Sequence, residues 1–182
     1  MWQARPVTEP SDNDAFHAAL TQEAGKKSGV CWLRYDGVDH AVWHVWLEDA
    51  LYVVSGGGEQ PLPDIEDVET LDVVMRNKDT GQRLITWVGS VSVVHPDDER
   101  WEPVTNALVS GRLNLASLET AADEWARSSV VIRIVPTSEV REVRDSLPDD
   151  AHLAAPRTTP ATTRGPLPKV FHRRARRRPR LS

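Results

Sequence analysis

The sequence predicts a mainly β domain in which six antiparallel strands curl into a barrel, with one helix before the first strand and two helices before the last. Two observations carry this prediction. Five segments rich in β-branched and aromatic residues follow one another between Val30 and Val94, separated by short turn sequences. Apolar residues at helical spacing flank these segments on both sides. Consecutive antiparallel strands in a small domain favour a closed sheet, because closure removes exposed strand edges.

The predicted strands are separated by turn signals. Asp36-Gly37 is a tight-turn dipeptide, and Lys78–Gly81 ends in a glycine that can supply the left-handed residue of a hairpin. Gly89 lies in the middle of the longest strand, where a barrel strand often bends or lets another backbone approach. In chain order, the six strands are Val30–Tyr35, His40–Leu47, Leu51–Ser55, Glu69–Asn77, Arg83–Val94 and Val130–Val135.

Three helices complete the predicted domain. The first covers Asp14–Lys27, and the other two cover Glu99–Leu113 and Leu118–Arg127. After the last strand, Thr137–Leu147 fits either a short charged helix or an irregular edge. The apolar side of the first helix is predicted to consist of Phe16, Ala19, Leu20 and Ala24.

Composition divides the chain into a domain and two flanking segments. Residues 1–13 are predicted to be a flexible lead-in, residues 14–147 the folded domain, and residues 148–182 a disordered tail rich in Pro and Arg. The chain has 22 Lys and Arg against 27 Asp and Glu, but nine of the basic residues and none of the acidic ones follow position 156. An acidic body does not favour nucleic acid, so contact with polyanions is expected only through the arginines of the tail.

Cysteine and histidine usage exclude several kinds of site. A single cysteine, Cys31, cannot form an internal disulfide and fits a reducing compartment. His40 and His44 are too far apart along one strand, about 13 Å, to bind one ion, so no metal site is expected.

The N-terminus lacks the charged and apolar regions of a signal peptide, which predicts a cytoplasmic protein. The excess of Arg over Lys suggests a GC-rich bacterial genome.

The strand pattern resembles the pyridoxamine 5′-phosphate oxidase-like family of flavin-binding split β-barrel proteins. Three segments carry the resemblance: the double hairpin GVCWLRYDGVDHAVWHVWLEDALYVVSG, the strand ITWVGSVSVV and the final strand VVIRIVP. Together they extend over roughly residues 15–140. The resemblance implies a six-stranded split barrel that forms a homodimer, with FMN or a deazaflavin at the dimer interface. It also implies an oxidoreductase that acts on a small molecule.

Two groups of residues are the candidate site that this resemblance implies. Ser55, Gly56 and Gly57, together with Arg76 or Lys78, are expected at the phosphate end of the coenzyme. Trp43, His44 and Trp46 are expected near the ring, with His44 as a hydrogen-bonding partner or proton donor. The alternative for each is structural, because a strand tryptophan or histidine is more often part of a core and a charged hairpin is often only solvated.

The turn after the third strand departs from the family pattern. The stretch Ser55–Pro61 has a hydroxyl and three glycines but an acid, Glu59, where flavin-binding members have a base, and the following loop is acidic. Acidic charge opposes the binding of a dianionic phosphate. The alternative function is therefore a non-catalytic split-barrel protein that has lost flavin binding and acts as a binding or regulatory module.

Overall fold

A computed structural model of the protein describes residues 12–112 and 120–144. Most of the predicted lead-in, all of the predicted tail and Leu113 lie outside these ranges. The helices are α1 (Asp12–Lys27), α2 (Trp101–Ser110) and α3 (Ala121–Ser128). The strands are β1 (Val30–Tyr35), β2 (Val38–Trp43), β3 (Val45–Leu47), β4 (Ala50–Ser55), β5 (Thr70–Arg76), β6 (Arg83–Val94) and β7 (Val130–Val143).

The seven strands form one antiparallel sheet in the order β2-β1-β5-β6-β7-β4-β3. Its two edge strands, β2 and β3, are consecutive in the chain and are joined by a single residue, His44. Neighbouring Cα atoms are about 3.8 Å apart, so the two edges of the sheet must meet at this residue. The sheet therefore curls back on itself, as a split barrel requires, and the prediction of a mainly antiparallel β domain with three helices is confirmed.

The predicted number of strands is wrong, because the segment His40–Leu47 is divided. Residues 38–43 pair with β1 at one edge of the sheet, whereas residues 45–47 pair with β4 at the other edge. His44 belongs to neither ladder: its backbone N–H donates to the Gly29 carbonyl at 3.3 Å. The change of partner at His44 makes seven strands out of the six predicted.

The last strand is longer than predicted. β7 continues through Val143 instead of ending at Val135, and its second half pairs with the first half of β6, with Thr86 opposite Glu142. The register between the two strands shifts on both sides of Trp87. At Gly89 a Cβ atom would lie 2.3 Å from Cγ2 of Ile134, so glycine is required by close packing.

Two hydrophobic cores lie on the two faces of the sheet. The inner core fills the barrel and contains Leu33, Val53, Val73, Trp87 and Ile132. The outer core lies between the sheet and helices α2 and α3 and contains Tyr52, Val54, Leu108 and Trp125. Every residue of β4 is buried, because its side chains alternate between the two cores.

Helix α1 packs on the barrel through only part of the predicted apolar side: Ala24 is buried and Leu20 packs against the inner core, whereas Phe16 and Ala19 are exposed. Its buried residues are Thr21, Ala24 and Gly25, whereas Phe16 is 57% exposed. A Cβ atom on Gly25 would lie 2.2 Å from Cε3 of Trp46, so the helix backbone rests directly on that indole. Within residues 12–112 and 120–144, no helix is both long and apolar enough to span a bilayer.

Candidate functional site

His44, the predicted catalytic residue, lies in the interior where the barrel closes against α1. It is 3% exposed, and its Nε2–H donates to the Gly25 carbonyl at 3.1 Å. Nδ1 is buried and has no hydrogen-bond partner among the described residues. Burial lowers the pKa of His44 from 6.5 to about 4, and the hydrogen bond to Gly25 offsets only part of this effect. At neutral pH the imidazole is therefore uncharged, and its single N–H group forms the hydrogen bond to α1.

Trp43 lies beside a half-buried ion pair. The Arg112 guanidinium lies 5.2 Å from the centroid of the Trp43 ring and pairs with the Glu59 carboxylate. Nε1 of Trp125 donates to the same carboxylate at 3.2 Å. Glu59, the acid that stands where flavin-binding family members have a base, is thus neutralised by a cation of the same chain. The residues predicted from the sequence did not include Arg112. The sequence feature that could have indicated it is a basic residue directly after the glycine that ends a helix.

Trp46 lines a cavity of about 590 Å³ between α1 and the barrel, named here the tryptophan cavity. Trp87, the largest fully buried side chain of the inner core, lines it too. The two indole rings are 6.4 Å apart between centroids and meet at 85°, an edge-to-face arrangement. The packing of α1 beside the barrel places Trp87 at the wall of this cavity.

The Ser55–Gly57 turn packs against the junction between α3 and β7. Gly56 and Gly57 have positive φ angles of 83° and 61°. A Cβ on Gly57 would lie 2.6 Å from Oγ of Ser129 and 3.0 Å from the backbone oxygen of Ser128. The Ser55 hydroxyl accepts a hydrogen bond from the Leu62 amide at 2.9 Å. The glycines therefore allow the turn to approach the α3–β7 junction closely, and the backbone carbonyl of Ser128 faces the turn.

Arg76 and Lys78 line one groove of about 300 Å³, named here the cationic groove. Lys27, from the last turn of α1, lines it as a third cation, and the apolar residues Leu20, Ala24 and Leu84 also contribute. The Arg76 guanidinium lies 4.3 Å from the centroid of the Trp32 ring. Two carboxylates, on Glu23 and Asp79, border the groove as well, so its cations exceed its anions by one.

The structure does not bring the eight predicted site residues together within the chain. Arg76 and Lys78 share the cationic groove, and Trp46 lines the tryptophan cavity. Ser55 and Gly56 border a groove of about 340 Å³ that also contains Arg127, and Trp43 borders a small cavity of about 60 Å³. Arg127 and Lys27 were not singled out from the sequence, since helix ends commonly carry solvated basic residues.

No protein-family model and no curated protein matches this chain. Among solved structures, the heme storage protein HutZ from Vibrio cholerae has a TM-score of 0.49 at 14% identity, over 66% of this chain and 90% of that one. A proposed pyridoxamine 5′-phosphate oxidase from Listeria innocua has a TM-score of 0.48 at 17% identity, over 74% of this chain and 100% of that one.

A third similar structure is the FAD and heme binding protein from Mycobacterium smegmatis, with a TM-score of 0.45 at 17% identity, over 82% of this chain and 90% of that one. The solved structures similar to this chain thus include proteins of the pyridoxamine 5′-phosphate oxidase-like, flavin-binding kind that its sequence resembles.

Proposed function

We propose that this chain is an oxidoreductase that uses a flavin or deazaflavin coenzyme to exchange two electrons with a small molecule, and that two copies of the chain hold the coenzyme between them. The proposal combines the resemblance of the strand pattern with one structural feature. That feature is the cationic groove, which Arg76, Lys78 and Lys27 line together with apolar residues.

The cationic groove suits the phosphate of such a coenzyme. Arg76 presents a planar fork of N–H donors, and stacking on Trp32 restricts the orientations of that fork. Lys78 adds a point charge from the hairpin, and Lys27, which pairs with Glu23, adds a second cation from the end of α1. A planar donor fork with two further cations is a favourable arrangement for phosphate oxygens.

The small size of the groove favours a second copy of the chain as a partner. At about 300 Å³ it lies at the lower limit for a small-molecule site, and none of the described residues lining it is aromatic. Trp43 and Trp46 line other cavities of the same protomer. A flat coenzyme ring therefore needs a surface from another molecule. A bound flavin supplies the hydride chemistry, and the chain supplies placement.

The test is an absorption spectrum of the purified protein, followed by titration with FMN and with a deazaflavin coenzyme. The Arg76→Ala variant should bind FMN at least about tenfold more weakly, because a charge-assisted contact with phosphate is lost. The control is Arg100→Ala, which removes an exposed arginine that pairs with Asp98. Riboflavin, which has no phosphate, should bind equally to the wild type and to Arg76→Ala. Equal FMN affinity of the two variants would contradict the proposal.

A second candidate function, a non-catalytic split-barrel protein without flavin, is favoured by the Ser55–Gly57 turn. The hydroxyls of Ser128 and Ser129 donate to the carbonyls of Glu124 and Gly56 at 2.9 and 3.1 Å, and the Ser128 carbonyl faces the turn. Such an environment does not attract an anion. If the folded wild-type protein binds neither FMN nor a deazaflavin at micromolar concentration, this second candidate replaces the first.

A further inference from the structure

The hairpin formed by β1 and β2 carries an apolar surface on the outer side of the sheet. Val30 and Trp32 of β1 lie directly opposite Trp43 and Ala41 of β2, so the four side chains share one face, named here the hairpin face. The intervening residue Leu33 belongs to the inner core, so this face points outward. Val30 is 44% exposed, Ala41 is exposed, and both indoles are half-buried. An exposed apolar cluster of this kind marks an interaction site.

The helices of the described ranges leave most of the hairpin face uncovered. α2 and α3 pack on the outer core over β4 and β7, and only the end of α2 reaches the hairpin face. There, a Cβ atom on Gly111 would lie 3.0 Å from Cζ2 of Trp43. Among the described strands, β2 pairs with β1 alone and is an edge of the sheet. An apolar surface beside a free strand edge favours association with another chain.

The border of the hairpin face carries equal numbers of positive and negative charges. Its three arginines and three carboxylates are Arg34, Arg76, Arg112, Asp39, Glu59 and Asp72. A polyanion would meet the carboxylates, and a basic partner would meet the arginines. A second copy of the same surface, related by a twofold axis, presents both signs to both signs. Tryptophan and arginine are also the residues that most often dominate the energy of protein interfaces.

We propose that the hairpin face packs against the same face of a second copy of this chain, and that this contact completes the coenzyme site. The second part rests on the proposed function. Arg76 borders both surfaces, because its guanidinium lies 4.3 Å from the centroid of the Trp32 ring and also lines the cationic groove. None of the described residues lining that groove is aromatic. The indoles of the second copy supply the flat apolar surface that a coenzyme ring needs.

The experiment is sedimentation equilibrium of the full chain without flavin. The wild type should be a dimer at micromolar concentration. Val30→Asp and Ala41→Glu each place like charges from both copies in an apolar contact, so each should raise the Kd of the dimer at least about a hundredfold. Phe16→Asp, which changes a comparably exposed apolar residue on α1, is the matched control and should stay dimeric. Far-UV circular dichroism and the midpoint of urea unfolding verify that each variant is folded.

Titration with FMN separates this inference from the proposed function. Folded monomers of Val30→Asp or Ala41→Glu should bind FMN at least about tenfold more weakly than the dimeric wild type. A monomeric wild type, or a dimer Kd that both variants leave unchanged, overturns the inference; FMN binding that still depends on Arg76 would then leave the phosphate site standing. A dimer that dissociates in both variants but takes up no flavin would uphold the contact while the proposed function fails.

Discussion

At the scale of single residues, the buried imidazole of His44 links three parts of the fold. It lies between the edge strands β2 and β3, and its Nε2–H binds the carbonyl of Gly25 in α1. Its Nδ1 lacks a partner among the described residues, so a second proton on the ring would place an unpaired charge in the interior. The folded state therefore favours the neutral ring.

This environment predicts a pH-dependent stability. Because the pKa of His44 is lowered from 6.5 to about 4 on folding, the unfolded chain takes up the proton first as the pH falls. The contribution to stability is complete above pH 6.5 and is lost as the pH falls from there towards about 4. Between pH 7 and pH 5, the free energy of unfolding should fall by about 2 kcal/mol on account of this group.

Urea unfolding at the two pH values measures this change. His44→Gln, whose amide can still donate to Gly25 but does not titrate, should show a smaller decrease than the wild type. His95→Gln changes an exposed histidine and should keep the wild-type decrease. An identical decrease in all three proteins would show that His44 does not cause it.

At the scale of elements, the turn after β4 is held by the close approach of the α3–β7 junction. Gly57 combines a φ of 61° with a Cβ position only 2.6 Å from Oγ of Ser129. Gly58, the next residue, has nothing within 4 Å of its Cβ position. A methyl group added at Gly57 would thus clash with neighbouring atoms, whereas one added at Gly58 would not.

The pair Gly57→Ala and Gly58→Ala tests this difference. Gly57→Ala should lower the free energy of unfolding by about 1–3 kcal/mol, because it introduces both a strained backbone angle and a steric clash. Gly58→Ala should change stability little. The midpoints of urea unfolding compare the two variants, and equal midpoints would mean that the turn can move away from Ser128 and Ser129.

At the scale of the whole molecule, stability is expected to be greatest where the two cores share a strand. β4 is buried along its full length and pairs with both β3 and β7. The buried residues of α1 are only Thr21, Ala24 and Gly25, with Leu20 partly buried beside them. Opening of α1 therefore exposes much less apolar surface than separation of β4 from β7.

Amide hydrogen exchange should show this gradient. Under native conditions, we expect the amides of Leu51–Val54 to exchange at least about tenfold more slowly than those in the middle of α1. The comparison is made within one sample, which controls for pH and temperature. Equal protection of the two segments would indicate that α1 and the barrel unfold as one unit.

The sequence predicted best those features of the structure that depend on residues close together in the chain. The bounds of β1 and β6 agree with prediction, because each strand is a β-branched, aromatic-rich segment between turn residues. Arg76 and Lys78 share a groove, as two cations at one hairpin do. Trp43 and Trp46 do not share one, although they are three residues apart, because the chain changes strand partners between them.

By itself, the sequence determined the mainly β architecture, the order of helices and strands, and the resemblance to flavin-binding split barrels. Only the tertiary structure decided that His44 divides a strand, that Glu59 is paired with Arg112, and that Trp46 and Trp87 border one cavity. The physical reason is the range of the interactions. Side-chain periodicity and turn chemistry act over a few residues, whereas ion pairs and cavities join segments that only the closure of the sheet and the packing of its helices bring together.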